Sequence, residues 1–327
     1  MSAAIAGAGE ALPARTDRPP MRLAVGALQY FWPREQVVDF YRNLASRPPL
    51  TIYLGETVCS KRRELGREDW LEIARMLGGH GHEVVISTLA LIEAASELGA
   101  CRRWVENGEF RIEANDYSAV QFLVERELPF VAGPGLNVYN HLALRRLQKL
   151  GMQRLVLPVE FGRERIGTLV ANTTDQARTA GIEPPEFEVL AWGRVPLAWS
   201  ARCFTARLHG RGKDQCGFEC IHHPEGQEVS TRDGRPYLNL NGVQVQSAAI
   251  QDLSGRMKEL RHAGVDLLRL YPAASGFDQV LDRFDAALAG QPVKPMQESL
   301  TGYWDGTAGM NPALALRAAS GQTDRHD

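Results

Sequence analysis

No run of apolar residues in this chain approaches eighteen, so no segment reads as a helix that crosses a membrane. An excess of positive charge is also missing. The 37 Lys and Arg against 39 Asp and Glu leave a formal charge of −2, which argues against a dedicated nucleic-acid binder. The first twenty residues, MSAAIAGAGEALPARTDRPP, have neither a basic n-region nor a continuous apolar stretch, so they do not read as a secretory signal and the expected compartment is the cytoplasm. Two protease signatures, H-E-x-x-H and G-x-S-x-G, are absent. Cysteine is scarce: the chain has five, an odd number at irregular spacings, which in a reducing compartment speaks against a disulfide framework and for metal or catalytic use.

Four of those five cysteines form a pattern. Cys59 stands alone, and Cys203, Cys216 and Cys220 follow much later with the spacing C-x12-C-x3-C. The stretch from Leu208 to Glu219 is rich in Gly, Lys, Arg, Asp and Gln and cannot be hydrophobic core. Free cysteine otherwise behaves as a small buried apolar residue, so cysteines around a polar loop call for a chemical reason, and thiolate coordination supplies one. Cys101 is different. It falls in a helical pattern beside Ala94, Ala95, Leu98 and Val105 and is assigned to packing.

Length and composition, with 44% hydrophobic and 23% charged residues in 327, fit an ordinary globular chain. Residues 1–20 are expected to be a disordered extension, 21–311 a single barrel-like domain and 312–327 a flexible tail. Inside the domain, short β-branched or aliphatic runs alternate with segments of helical period, the pattern of parallel α/β architecture. Strands are predicted at 22–28, 50–54, 83–87, 110–113, 130–132, 155–159, 187–192 and 267–271. Helices are predicted at 34–45, 67–77, 90–106, 117–126, 138–150, 166–180, 253–263 and 277–289. Eight such units fit a (β/α)8 TIM-barrel-like fold, with a doubly wound open sheet as the alternative. The stretch 204–252 is too long for a plain connection and reads as an insertion between the seventh and eighth strands. Within it, Asp233-Gly234 predicts a β-hairpin.

The barrel reading places Cys59 beyond the second strand and Cys203, Cys216 and Cys220 beyond the seventh, all on the C-terminal face where such barrels carry their sites. Glu56, Asn115, Asn137, Asn140, Glu160, Arg194 and Tyr271 share that face, most of them expected as caps or loop anchors. His80 and His82 belong to the opposite, stability-bearing face. His222 and His223 are possible outer partners or alternative ligands, set against the plainer reading of solvated loop histidines. The run GPGLN at 133–137 lacks the last glycine of a phosphate loop and reads better as the start of a helix capped by Asn137. For the metal, structural zinc usually takes two close cysteine pairs, whereas here only Cys216 and Cys220 are close. An iron–sulfur cluster accepts thiolates from separate elements, so spacing favours it over zinc without excluding zinc. The C-x3-C-x2-C signature of radical chemistry is broken by His223.

The segments YLGETVCSKRRE (Tyr53 to Glu64), WGRVPLAWSARC (Trp192 to Cys203) and DQCGFEC (Asp214 to Cys220), with the four cysteines at these spacings, resemble the bacterial collagenase-like peptidase family. They look like its branch that works in oxygen-independent ubiquinone biosynthesis, over about Met21 to Asn311. That resemblance implies a 4Fe-4S cluster on Cys59, Cys203, Cys216 and Cys220. It also implies a heterodimer with a related UbiU-like subunit and a lipid-binding, UbiT-like accessory protein. The implied reaction is hydroxylation of the aromatic ring of polyprenylated ubiquinone precursors, with prephenate as the oxygen donor. Lys61, Arg62, Arg63, Arg202 and Lys213 would then either offset the thiolates or form a solvated loop face, and Arg62 and Arg194 are candidates for binding the donor's carboxylates. Three rival readings remain: a peptidase, an RNA hydroxylation protein, and a non-catalytic electron-transfer or scaffold subunit.

Overall fold

The computed structural model describes residues 19–294, 296 and 299–306. The expected disordered extension, apart from Pro19 and Pro20, and the expected flexible tail lie outside these residues. The strands are β1 Arg22–Val25, β2 Thr51–Leu54, β3 Glu83–Ser87, β4 Arg111–Ala114, β5 Phe130–Ala132, β6 Met152–Val156, β7 Glu186–Trp199, β8 Gln227–Ser230, β9 Pro236–Asn241, β10 Gln244–Asp252 and β11 Leu267–Leu270. The α-helices are α1 Arg34–Leu44, α2 Arg67–Gly79, α3 Ala95–Val105, α4 Tyr117–Val124, α5 His141–Lys149, α6 Arg163–Ala180, α7 Phe204–Leu208, α8 Met257–His262 and α9 Phe277–Leu288.

Strands β1 to β7 pair in sequence order, all parallel, and β11 pairs in parallel with both β1 and β7. The ring therefore closes on eight parallel strands, which is the TIM-barrel-like class expected from the alternation. Side chains alternate across its wall. Ile52, Leu54, Ile86, Ile112 and Leu155 join the large core between strands and helices, while Ala24, Tyr53, Val85, Val131, Val156 and Leu267 form a separate inner cluster. Each helix contributes a matching stripe, as in α1, where Val37, Tyr41 and Leu44 are buried.

The inner face also holds charge. Arg269 pairs with Glu113 at 2.7 Å and Glu188 at 2.6 Å, and the Tyr53 hydroxyl donates to Glu188 at 2.6 Å while accepting from Arg154. Tyr271 lies above this network, in space left by two glycines. A Cβ on Gly26 would stand 2.7 Å from its ring, and one on Gly193 would stand 3.0 Å from its Cβ. Gly193 also has φ +131°, so no other residue fits there comfortably.

The insertion is more regular than the sequence suggested. The predicted hairpin forms between β8 and β9, turning at Thr231–Arg235 with Gly234 at φ +78°. A second hairpin, turning at Gly242, adds β10, which then pairs antiparallel with an extended β7. β7 runs on to Trp199, past the predicted end at Trp192, because its outer half finds a partner in β10. Other boundaries shift for local reasons. The helix expected from Ala90 begins at Ala95, since the Glu97 carboxylate accepts from the N–H groups of Glu93 and Ala94 and fixes the first turn there. The cap expected at Asn137 is supplied by Asn140, whose Oδ1 accepts from Ala143 N–H at 2.9 Å, and Asn137 instead adopts a left-handed conformation after a short 3-10 turn at Pro134–Leu136.

Candidate metal centre

Cys59, Cys203, Cys216 and Cys220 come together. All four line one cavity of about 380 Å³ that is partly open to solvent, beyond the C-terminal ends of the barrel strands. Each is placed by its own local structure. After β2 the chain turns at Gly55, where φ is +110° and a Cβ would stand 2.9 Å from the Ser87 carbonyl oxygen, so there is room for no side chain. The Glu56 carboxylate then accepts from Val58 N–H at 2.8 Å and Cys59 N–H at 3.0 Å, holding the cysteine in a turn that Arg62 N–H closes onto the Cys59 carbonyl. Cys203 is the N-cap of α7, and its sulfur accepts from Ala206 N–H at 3.4 Å. Cys216 follows a short 3-10 turn and Cys220 lies in the next, with Gly217 and Phe218 between them at φ +61° and +56°.

The insertion and the barrel loop are fastened by buried amides. Asn241 donates to the Gln29 carbonyl at 2.7 Å, Gln244 donates to Gln29 Oε1 at 3.0 Å, and Gln246 donates to Gln244 Oε1 at 2.9 Å. The Gly242 turn accepts from Phe204 N–H at 2.7 Å, which docks α7 and so Cys203. Lys61 reaches across to the Lys213 carbonyl at 3.0 Å and to Asp214 at 2.6 Å, while Lys213 pairs with Glu93.

Burial pushes the Cys59 and Cys220 thiols above their ordinary range, and the charge of Arg62 pulls both the other way. Cys203 lies close enough to raise both further. None of the five cysteines is in a disulfide. Four soft donors lining one cavity beside a buried cation have the donor chemistry of a thiolate-bound iron–sulfur group, which spans more space than a single ion. Among the described residues, no three His, Cys, Asp or Glu side chains form a group able to hold one metal ion.

The remaining candidates separate. Cys101 is buried in the main core on α3, as its helical neighbours predicted. Of the three basic residues after Cys59, only Arg62 is buried. Arg62 donates to the Gln29 carbonyl and to Asn241, so it is not a free clamp for a donor carboxylate. Arg194 donates to the Ser247 carbonyl at 3.3 Å, and Arg202 is exposed. Asn115 donates to the Thr88 carbonyl, Glu160 accepts from Tyr139, and Tyr271 fills the mouth, so these residues anchor structure. His223 is bridged to His209 by the Gln227 amide, at 2.9 and 3.0 Å. At the other end of the barrel, His82 Nδ1 accepts from Leu50 N–H at 3.1 Å. The amide ladder of Gln29, Asn241, Gln244 and Gln246 was missed, and its one signal was the density of Asn and Gln in an alternating stretch.

Comparison with known proteins gives a family and, among solved structures, a distant likeness. The sequence model for peptidase family U32 matches residues 34–281. A solved structure described as an uncharacterized protein from Clostridium thermocellum that binds two copies of 5-methyl-5,6,7,8-tetrahydrofolic acid is 10% identical, with a TM-score of 0.45 over 84% of this chain and 96% of that one. At that similarity it carries no argument about function. Among the described residues, no helix is long and apolar enough to cross a membrane.

Proposed function

We propose, on the premise that this chain belongs to peptidase family U32, that it is a UbiV-type iron–sulfur subunit of an oxygen-independent hydroxylation complex acting on the aromatic ring of ubiquinone precursors. The observation that carries this reading is the convergence of Cys59 with Cys203, Cys216 and Cys220 on one cavity, from a barrel loop and an insertion far apart in sequence. These four residues would hold a 4Fe-4S cluster. When bound, such a group supplies one-electron transfer, which ring hydroxylation without dioxygen requires because the substrate loses electrons. In this reading the oxygen atom comes from prephenate and the working unit is a heterodimer with a UbiU-like subunit, assisted by a UbiT-like lipid-binding protein.

The chain's own contribution is to fix the four sulfurs. Glu56 orders the Cys59 turn, the α7 N-terminus orders Cys203, and the two lysine contacts hold the Cys216 loop against the barrel. A second reading, an electron-transfer or scaffold subunit serving its partner's chemistry, is favoured by the barrel mouth. There the buried Tyr271 packs between Gly26 and Gly193 over the Arg269 network and takes up space in the barrel mouth.

Anaerobic purification with iron, sulfide and zinc analysis tests the cluster. About four irons per chain are expected, falling to background when Cys59, Cys203, Cys216 or Cys220 is changed to Ser and unchanged for Cys101→Ser. One zinc per chain and no sulfide would overturn the cluster. Between the two readings, loss of hydroxylation in a Cys→Ala variant that still binds its partner supports a redox role, and retained hydroxylation without the cluster removes that role.

A further inference from the structure

The cations beside the four thiols are not equivalent. Lys61 and Lys213 are each matched by a carboxylate, Asp214 and Glu93. Arg62 has a side chain only 1% exposed, and the carboxylate paired with it, Glu56, stands 3.8 Å away. The guanidinium is fixed on three sides. Nη1 donates to the Gln29 carbonyl at 2.8 Å, Nη2 donates to Asn241 Oδ1 at 2.7 Å, and the Phe31 ring centre lies 5.8 Å from Cζ. Gly242 makes the fit possible, since a Cβ there would stand 2.9 Å from Nη2. One donor remains: Nε is buried and has no partner among the described residues, in a side chain that lines the cysteine cavity. A buried unpaired guanidinium donor is costly, and a thiolate-rich group in that cavity would relieve it.

Resting on the cluster reading above, we infer that Arg62 sets the reduction potential of this centre, by placing a fixed buried positive charge and a hydrogen-bond donor beside its sulfurs. Reduction adds one electron, taken from an external reductant, and leaves the site one unit more negative with no bond made or broken. A buried cation at fixed distance stabilises the more negative state and so raises the potential, and donors to cluster sulfurs act in the same direction. The rigid fork is essential to this role, because a lysine in the same place keeps the charge but loses the Nε donor and the two-point anchor.

The test is a dithionite titration of the anaerobically isolated protein, followed by paramagnetic resonance, for wild type, Arg62→Gln and Arg62→Lys, with iron content measured first. For Arg62→Gln, the ratio of reduced to oxidised cluster at the wild-type midpoint should fall about tenfold, a shift of about 59 mV for one electron. Arg62→Lys should fall between the two. Loaded clusters with the wild-type midpoint in both variants would overturn the inference, whatever happens to melting temperature or yield. If Arg62→Gln does not load, Arg62→Lys decides alone, and an unmoved midpoint there overturns it. Wild-type protein isolated without iron would overturn the cluster reading and this inference together, a result distinct from a loaded cluster whose midpoint does not move.

Discussion

Arg269 is a cation enclosed by the barrel wall, with Glu113 at 2.7 Å, Glu188 at 2.6 Å and its guanidinium carbon 4.0 Å from the centre of the Tyr53 ring. Burial alone favours the neutral form of such a group, but the two carboxylates win and hold Arg269 well above its ordinary range. The stabilisation is mutual, so removing one partner leaves uncompensated charge in a low-dielectric interior. Arg269→Met is therefore expected to lower stability by about 3–5 kcal/mol. The triple change Arg269→Met, Glu113→Leu, Glu188→Leu should recover most of that loss, because it removes the stranded charges as well. Urea unfolding followed by circular dichroism checks both, and a single variant within about 1 kcal/mol of wild type would contradict the argument. None of this was legible in the sequence. A charged residue in a strand reads as solvent-facing, and only closure of the ring turns Glu113, Glu188 and Arg269 toward one another. The same limit applied to Arg62 and Arg63, which are neighbours of like chemistry, one buried and one exposed.

At the scale of elements, the legible strands were those whose hydrophobic runs are bounded by turn residues. Glu83–Ser87 and Phe130–Ala132 fall where their patterns end. The outer half of β7 was hidden because Gly193 and Pro196 look like breakers, and β10 because Gln244 and Gln246 are buried along with Val245 between them, so polar residues stand where apolar ones are expected. The four cysteines were legible as a set because thiols in a polar stretch have few other uses, but the contacts that hold them were not, since they join segments distant in sequence. The segment 210–217 illustrates this. Gly210 and Gly217 at φ +69° and +61° lie at its ends, and Lys61 ties its middle to the barrel loop. Asp214 is fully exposed, so solvent screens its pairing with Lys61 and the latch is weak. Lys61→Ala should accordingly speed trypsin cleavage after Arg211 and Lys213 by about two- to fivefold. Mass spectrometry of timed digests reads the rate at those two bonds, and equal rates in both proteins would mean the latch holds nothing.

At the scale of the whole molecule, the four sulfurs straddle two units that are stabilised differently. The barrel closes through backbone pairing of β1 to β7 with β11 and through a core that does not include the cysteine cavity. β8 to β10 extend the same sheet through β7, and the amide ladder docks them on Gln29. Between them, the cysteine loops themselves rest on little. Cys203, Ala206, Val58 and Val243 form a small separate cluster, and the only helical structure in 209–223 is two short 3-10 turns, at Lys213–Gln215 and Glu219–His222. Small metal domains that lack any other core unfold when the metal is removed, because binding energy and folding energy are then the same quantity. Here they are separable. Removing the proposed cluster with a chelator should therefore increase amide hydrogen exchange in 56–62 and 203–223, while β1 to β6 and β11 keep their protection and β9 and β10 change little. Loss of protection across the barrel strands would show that the centre holds the whole fold together. Unchanged exchange in all segments would show that the four cysteines bind nothing that orders them.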